Sequence, residues 1–134
     1  MSAPEKTVVV TGITGNLGLR LLREIPEFDV FGVDVPQRTD KSVVSSPLPS
    51  RFQSIDLGEE VSCRELIDLL RNTEAQAVVH LAFVDPQGTA GMDVNRTWRI
   101  NVAGTARLME AISVVNRNGG VIRKFLFISS ASVY

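Results

Sequence analysis

The stretch from Val8 to Gly18, Val-Val-Val-Thr-Gly-Ile-Thr-Gly-Asn-Leu-Gly, constrains the fold of this chain more than any other. Its β-branched start predicts a short buried strand, and glycines at every third position predict a turn that opens a helix. Gly12 lets the chain turn sharply, Gly15 leaves room for an anion at the backbone, and Gly18 lets the helix pack closely. Because amides at a helix start attract negative charge, this stretch predicts a site for a dinucleotide pyrophosphate.

An acidic residue further along the chain strengthens this interpretation. Asp34 lies 22 positions after Gly12, at the end of the next predicted strand. A carboxylate at such a spacing binds both ribose hydroxyls of adenosine and repels a 2′-phosphate, which favours NAD over NADP. Arg38 keeps NADP as the less favoured option, because an arginine there could pair with a phosphate. The plain alternative for Asp34 is a solvated aspartate at a strand end.

Composition narrows the class of protein. A length of 134 residues fits one domain, and a formal net charge of -1 gives no electrostatic case for binding nucleic acid or an anionic membrane. One cysteine, Cys63, excludes an internal disulfide, and one histidine, His80, excludes a multi-histidine metal site, so we expect no metal. No apolar run approaches the roughly 20 residues of a membrane span. We therefore expect a cytoplasmic protein.

The rest of the chain alternates strands and helices. Such alternation predicts right-handed crossovers and a Rossmann-type doubly wound parallel sheet, strand order 3-2-1-4-5, with helices on both faces. The ligand crevice is then expected at the carboxyl ends of the strands. Strands are predicted over 7–11, 30–35, 51–57, 77–83 and 125–129, helices over 16–24, 59–72 and 93–118, and loops over 36–50 and 85–92.

Several residues at these strand ends are candidates for binding. Asp56 could accept a hydrogen bond from an adenine amino group beside the Leu57 amide, or it could cap a helix near Glu59; spacing leaves both open. A small Ala82 would let a dinucleotide cross its strand end. His80 is more simply a buried structural histidine than a base.

Two polar features follow later in the chain. Asn101 lies in the long predicted helix, where asparagine is a poor helix former, so it has either a polar task or a surface position. Ser129 and Ser130 follow the last strand, where serines form turns or could bind a substrate oxygen. No histidine is available to make either serine a nucleophile.

Taken together, these motifs resemble the amino-terminal half of the extended short-chain dehydrogenase/reductase family, the NAD-dependent epimerases and dehydratases that act on nucleotide sugars. The resemblance covers nearly the whole chain, and its pieces occur in the family's order. They are Thr11–Gly18, Asp34, Asp56-Leu57, His80–Ala82, Asn101–Thr105 and Phe127–Tyr134.

The resemblance implies a set of roles. Asn16 and Leu17 would meet the pyrophosphate, and Asn101 matches the family's cofactor-side asparagine. Ser130 matches its catalytic serine or threonine, which orients the substrate oxygen while a Tyr-x-x-x-Lys pair exchanges a proton and the nicotinamide takes the hydride. The full set of expected cofactor-binding residues is Gly12, Thr14, Gly15, Asn16, Leu17, Gly18, Asp34, Asp56, Leu57, Leu81, Ala82, Phe83, Val84 and Asn101.

The chain departs from the family pattern at its end. The family's Tyr-x-x-x-Lys pair follows the serine motif, whereas this sequence ends inside that motif at Tyr134. We therefore expect residues 1–134 to be a partial dinucleotide-binding domain without the substrate domain, and inactive alone. The full-length enzyme would take a nucleotide sugar. The apolar last strand would lie at a bare sheet edge, which predicts self-association or poor solubility.

Two other functions compete with the enzyme interpretation. The chain could be a non-catalytic dinucleotide-binding or redox-sensing module, or a structural domain that has lost its cofactor. The joint presence of the three glycines with Asp34 and Asp56 disfavours the last of these. The identity of the substrate and the choice among epimerisation, dehydration and reduction do not follow from these residues.

Overall fold

A computed structural model of the chain describes residues 6–35, 51–84 and 93–128. Its centre is a five-stranded sheet with the order β3-β2-β1-β4-β5, in which every neighbouring pair is parallel. The predicted doubly wound fold and strand order are therefore confirmed. The strands are β1 (Thr7–Thr11), β2 (Asp29–Asp34), β3 (Arg51–Ser54), β4 (Ala77–His80) and β5 (Lys124–Phe127).

Helices cover both faces of this sheet. They are α1 (Asn16–Glu24), α2 (Ser62–Thr73), α3 (Val94–Trp98) and α4 (Thr105–Arg117), with a π-helical segment (Arg99–Gly104) between the last two. Sequence patterning predicted one regular helix over 93–118, and the π-helical segment interrupts it. Gly104, the last residue of the π-helical segment, packs closely against Leu57 in the stretch after β3, since an added Cβ would lie 2.9 Å from Leu57 Cβ. Such wide turns are frequent at functional sites.

The core has two parts, one on each face of β1. All five residues of β1 are buried, as expected of a central parallel strand. On one face Val8 and Val10 pack with α1 side chains such as Leu21. On the other face Val9 belongs to the larger cluster, to which α2 and α4 contribute. This packing fixes the carboxyl end of β1, where the glycine turn begins.

The observed strands end earlier than the sequence pattern predicted. β3 stops at Ser54 because its register partner is Asp34, the last residue of β2. β4 stops at His80 because its partner is Thr11, the last residue of β1. The residues that follow, 55–57 and 81–83, are apolar except for Asp56, and they leave the sheet instead of extending it. They are thereby free to line a crevice at the strand ends.

Some expectations fall outside the described residues. These are the predicted loops 36–50 and 85–92, Arg38, the two serines Ser129 and Ser130, and Tyr134. In the described part of the chain, no helix is long and apolar enough to cross a membrane. The same residues contain no group of three or more His, Cys, Asp or Glu side chains placed to hold a metal ion.

Candidate functional site

A cavity of about 610 Å³ lies at the carboxyl ends of the strands. Every expected cofactor-binding residue lines it except Thr14 and Asn101. Arg96 and Ile100, which sequence reasoning missed, also line it. The lining residues are Thr11, Gly12, Gly15, Asn16, Leu17, Gly18, Val33, Asp34, Val35, Ile55, Asp56, Leu57, Leu81, Ala82, Phe83, Val84, Arg96 and Ile100.

The turn at Gly12 requires glycine for two reasons. Its φ of +71° lies in the left-handed region, where L side chains are strained. An added Cβ would also lie 2.7 Å from the Ala82 amide nitrogen, so the turn packs directly on the chain leaving β4. The Gly12 amide donates to the Val33 carbonyl at 2.8 Å, which ties the same turn to β2.

The start of α1 faces the cavity without a side-chain cap. Gly15 is the N-cap residue, and the first intrahelical bond runs from the Leu19 amide to the Gly15 carbonyl at 3.0 Å. The amides of residues 16–18 therefore precede the helical hydrogen-bond ladder. Gly18 allows the close approach of helix and turn, since an added Cβ would lie 2.5 Å from the Ile13 carbonyl oxygen. This geometry suits an anion.

Asp34 holds the glycine turn while it lines the cavity. Its Oδ2 accepts a hydrogen bond from the Thr14 amide at 2.9 Å and another from the Thr14 hydroxyl. Its Oδ1 accepts from the Val35 amide at 2.8 Å. Because a carboxylate offers about four acceptor positions, capacity remains for a ligand hydroxyl. Thr14 thus acts at this site through Asp34 rather than as part of the cavity wall.

Asp56 combines a turn with a place in the cavity wall. Its Oδ1 accepts from the Gly58 amide at 2.9 Å, and its carbonyl accepts from the Glu59 amide at 3.1 Å. It does not cap α2, whose N-cap residue is Val61. The side chain instead pairs with Arg96, 3.2 Å from Asp56 Oδ2. No spacing in the sequence connects these two residues, which are 40 positions apart.

His80 is buried beside the cavity and uses both ring nitrogens. Nδ1 lies 2.6 Å from Thr11 Oγ1, and Nε2 lies 2.8 Å from Thr105 Oγ1. Thr11 Oγ1 already accepts from the amides of Leu81 and Ala82, both at 3.2 Å, so its proton goes to His80 Nδ1. The ring proton is therefore on Nε2, and burial lowers the pKa of His80 to about 4. This histidine is neutral and structural.

Asn101 lies in the π-helical segment and points to the loop after β4. Its Oδ1 accepts from the Val84 amide at 2.9 Å, and its Nδ2 donates to the Val84 carbonyl at 2.8 Å. The amide side chain of Asn101 thus bonds to both the N–H and the carbonyl of Val84, as the backbone of a neighbouring strand does. It supports the cavity wall over residues 81–84, and its direct contact with a cofactor stays a prediction.

Comparison with known proteins shows the family of the chain. The chain matches the model of the NAD dependent epimerase/dehydratase family over residues 8–134. A comparison with curated proteins found no match. Many solved structures match the chain. The three described next share less than a quarter of its residues, so their similarity is one of fold.

Three of those structures illustrate the similarity. The UDP-glucose-4-epimerase from Stenotrophomonas maltophila, with bound NAD and formylated UDP-arabinopyranose, is 23% identical with a TM-score of 0.77; the alignment covers 97% of this chain and 38% of that one. The Brucella ovis UDP-glucose 4-epimerase, in complex with NAD, is 21% identical with a TM-score of 0.76, covering 96% and 37%. Bordetella bronchiseptica WbmG, in complex with NAD and UDP, is 19% identical with a TM-score of 0.70, covering 92% and 37%.

This chain thus spans less than two fifths of the length of these solved structures. The family model, by contrast, matches almost all of it, from the first residues of β1 to the last residue of the sequence. The chain belongs to the NAD dependent epimerase/dehydratase family.

Proposed function

We propose that the cavity binds NAD, and that the chain serves an epimerase- or dehydratase-type oxidoreductase that acts on a nucleotide sugar. One observation carries the proposal. The glycine turn, the uncapped start of α1 and the Asp34 carboxylate all converge on a single cavity at the strand ends. That combination matches the pyrophosphate and the ribose of a dinucleotide. The solved relatives that contain NAD and UDP groups support it.

Asp34 supports NAD over NADP. Its carboxylate is held by Thr14 and Val35 at the cavity wall, where its remaining acceptor position would take an adenosine ribose hydroxyl. A 2′-phosphate at the same place would meet an anion rather than a partner. We further propose that Asp56 and Leu57 meet the adenine ring, and that the wall over residues 81–84 borders the central part of the cofactor.

The catalytic part of the proposal rests on the sequence. Bound NAD would supply hydride acceptance, and Ser130 would orient the substrate hydroxyl. The sequence contains one tyrosine, Tyr134, and no lysine after it, so it holds no Tyr-x-x-x-Lys pair. We therefore propose that these 134 residues bind the dinucleotide without turning over substrate.

Calorimetric titration with NAD and with NADP tests the proposal. We expect the wild-type chain to bind NAD more tightly than NADP. Asp34→Asn removes the negative charge, so it should weaken NAD binding and reduce the preference by about tenfold, the effect of one lost charged interaction. Asp68→Asn, at an exposed position on α2, is the matched control and should change neither affinity. Failure of wild type to bind either dinucleotide would contradict the proposal.

A second candidate is a non-catalytic dinucleotide-binding or redox-sensing module, which the same glycine turn and cavity would also serve. Both candidates predict that residues 1–134 bind NAD without turnover, so an activity assay of these residues does not separate them. A longer reading frame that carries Tyr-x-x-x-Lys after Tyr134 would favour the enzyme.

A further inference from the structure

Arg96 reaches the cavity from a part of the chain distant from the glycine turn. Its Nη2 lies 3.2 Å from Asp56 Oδ2, while Asp56 Oδ1 accepts the Gly58 amide at 2.9 Å. Each carboxylate oxygen therefore has one fixed partner, and the plane of the carboxylate is held from both sides. Both Arg96 and Asp56 line the cavity. The remaining acceptor positions of Asp56 are the ones available to a ligand.

The backbone of Arg96 is itself fixed. Asp93 is the N-cap residue of α3, and its Oδ1 accepts from the Arg96 amide at 2.6 Å. The Asp93 carbonyl accepts from both the amide and the hydroxyl of Thr97, each at 3.1 Å. The helix start thus determines where the Arg96 side chain leaves the backbone.

Packing around Gly58 fixes the pair further. An added Cβ at Gly58 would lie 3.1 Å from Ile100 Cγ1, 3.2 Å from Asp56 Oδ1 and 3.7 Å from Arg96 Nη1. The Asp56 carboxylate, the Arg96 guanidinium and the Ile100 side chain therefore surround the Cα of Gly58, and the space there fits a hydrogen atom better than a methyl group. This close fit leaves the guanidinium and the carboxylate few alternative arrangements.

The charges on the cavity wall give Arg96 a task beyond stability. Among the described residues that line the cavity, Asp34 and Asp56 are anions and Arg96 is the single lysine or arginine. The Arg96 and Asp56 side chains keep 33% and 27% of their surface exposed, so the ion pair contributes little to folding. A dinucleotide carries further negative charge on its phosphates. Because Arg96 offsets the charge of Asp56, it reduces the repulsion between the cavity wall and the dinucleotide.

We propose that Arg96 is a positioning residue that orients Asp56 to accept the amino group of adenine, and so makes the site selective for an adenine base. The inference rests on the proposed NAD binding and deepens it. Hypoxanthine carries a carbonyl oxygen where adenine carries the amino group. A fixed carboxylate would face that oxygen acceptor to acceptor, without a hydrogen between them. A carboxylate free to rotate could turn away from it.

The test is calorimetric titration with NAD and with nicotinamide hypoxanthine dinucleotide. We expect wild type to prefer NAD by about tenfold or more, the effect of one hydrogen bond to a charged group. Arg96→Met should bind NAD more weakly and lose most of that preference. Arg96→Lys, which keeps the charge, should recover part of it. Arg99→Met, at an exposed arginine of the π-helical segment that follows α3, should behave like wild type. Circular dichroism of each variant checks that it is folded.

The outcomes separate this inference from the proposed function. If wild type binds NAD and Arg96→Met binds both dinucleotides with an unchanged preference, Arg96 does not position Asp56 and the inference fails alone. If Arg96→Met weakens binding of both dinucleotides equally, the residue supplies only charge, and the inference also fails. If wild type binds neither dinucleotide, the proposed function and the inference fail together.

Discussion

Thr11 and His80 are register partners at the ends of β1 and β4, and a 2.6 Å hydrogen bond joins the Thr11 hydroxyl to His80 Nδ1. The ring also stacks on Phe125 of β5, with 6.3 Å between centroids. His80 Nε2 donates to Thr105 Oγ1, whose own hydroxyl donates to the Asn101 carbonyl at 2.7 Å. A continuous series of hydrogen bonds therefore connects β1, which leads into the glycine turn, to the π-helical segment.

This arrangement predicts a specific dependence of stability on pH. The folded-state pKa of His80 is lowered from 6.5 to about 4 by burial, so the unfolded chain binds a proton at a higher pH than the folded chain does. Stability contributed by neutral His80 is complete above about pH 6.5 and is lost as the pH falls towards 4. A shift of this size corresponds to about 3 kcal/mol of unfolding free energy.

Urea denaturation between pH 4 and 7 measures this effect. His80→Gln removes the titrating group, so its unfolding free energy should fall less steeply over the same interval than that of wild type. Since the sequence has one histidine, the difference between the two slopes belongs to His80. Equal slopes would contradict the assigned neutral state.

Gly12 and Gly119 predict two different costs for the same substitution. Both have positive φ, +71° and +89°, so alanine is strained at either position. At Gly119 nothing lies within 4 Å of an added Cβ, whereas at Gly12 the Ala82 amide nitrogen lies 2.7 Å away. Gly119→Ala should cost about 1 kcal/mol of unfolding free energy from backbone strain alone. Gly12→Ala should cost several times more, and thermal denaturation of the two variants compares them.

Thr14 should affect cofactor binding although it does not line the cavity. Thr14→Val keeps the amide that bonds to Asp34 and removes the hydroxyl that bonds to it. The loosened carboxylate should bind ribose less well, with NAD affinity reduced about fivefold, equivalent to about 1 kcal/mol. Thr73→Val is the matched control, because that hydroxyl bonds to carbonyls of its own helix, α2, away from the cavity. An unchanged NAD affinity in Thr14→Val would contradict the prediction that the Thr14 hydroxyl holds Asp34 for ribose binding.

Sequence patterning predicted the parts of this fold that local chemistry determines. The run Val8–Val10 and the glycine spacing define a strand, a turn and a helix without reference to the rest of the chain, and helix α1 has the bounds expected, 16–24. Strand ends were less predictable. Apolar residues such as Leu57 and Leu81 continue a strand pattern, but the neighbouring strands stop before them.

The candidate site was predictable where its residues follow strands and unpredictable where helices contribute. Asp34 ends β2 and Asp56 lies two positions beyond the end of β3, so topology brings them to one edge of the sheet. Arg96 enters the same cavity from the short helix α3, whose rotation about its own axis no spacing in the sequence reveals. Asn101 could be singled out as an unusual helix residue, but its partner Val84 depends on the tertiary fold.

The last strand predicts an association of the chain with itself. Leu126 and Phe127 of β5 are each 54% exposed, and no strand in the described part of the chain pairs with the outer edge of β5. Unpaired apolar edges template pairing with another copy. We therefore expect the average mass in light scattering to rise with protein concentration.

Leu126→Lys tests whether the edge of β5 is responsible. A charge there opposes edge pairing, so the variant should remain smaller than wild type at the same concentration. We choose Leu126 because Phe127 contacts the His80 ring at 5.8 Å between centroids, and its loss would disturb the core. Met109→Lys on α4 is the matched control, since Met109 is also 54% exposed, and it should associate as wild type does. A wild-type chain that stays a monodisperse monomer would contradict the prediction. If both variants reduce association equally, exposed apolar side chains in general cause it, and the edge of β5 has no special role.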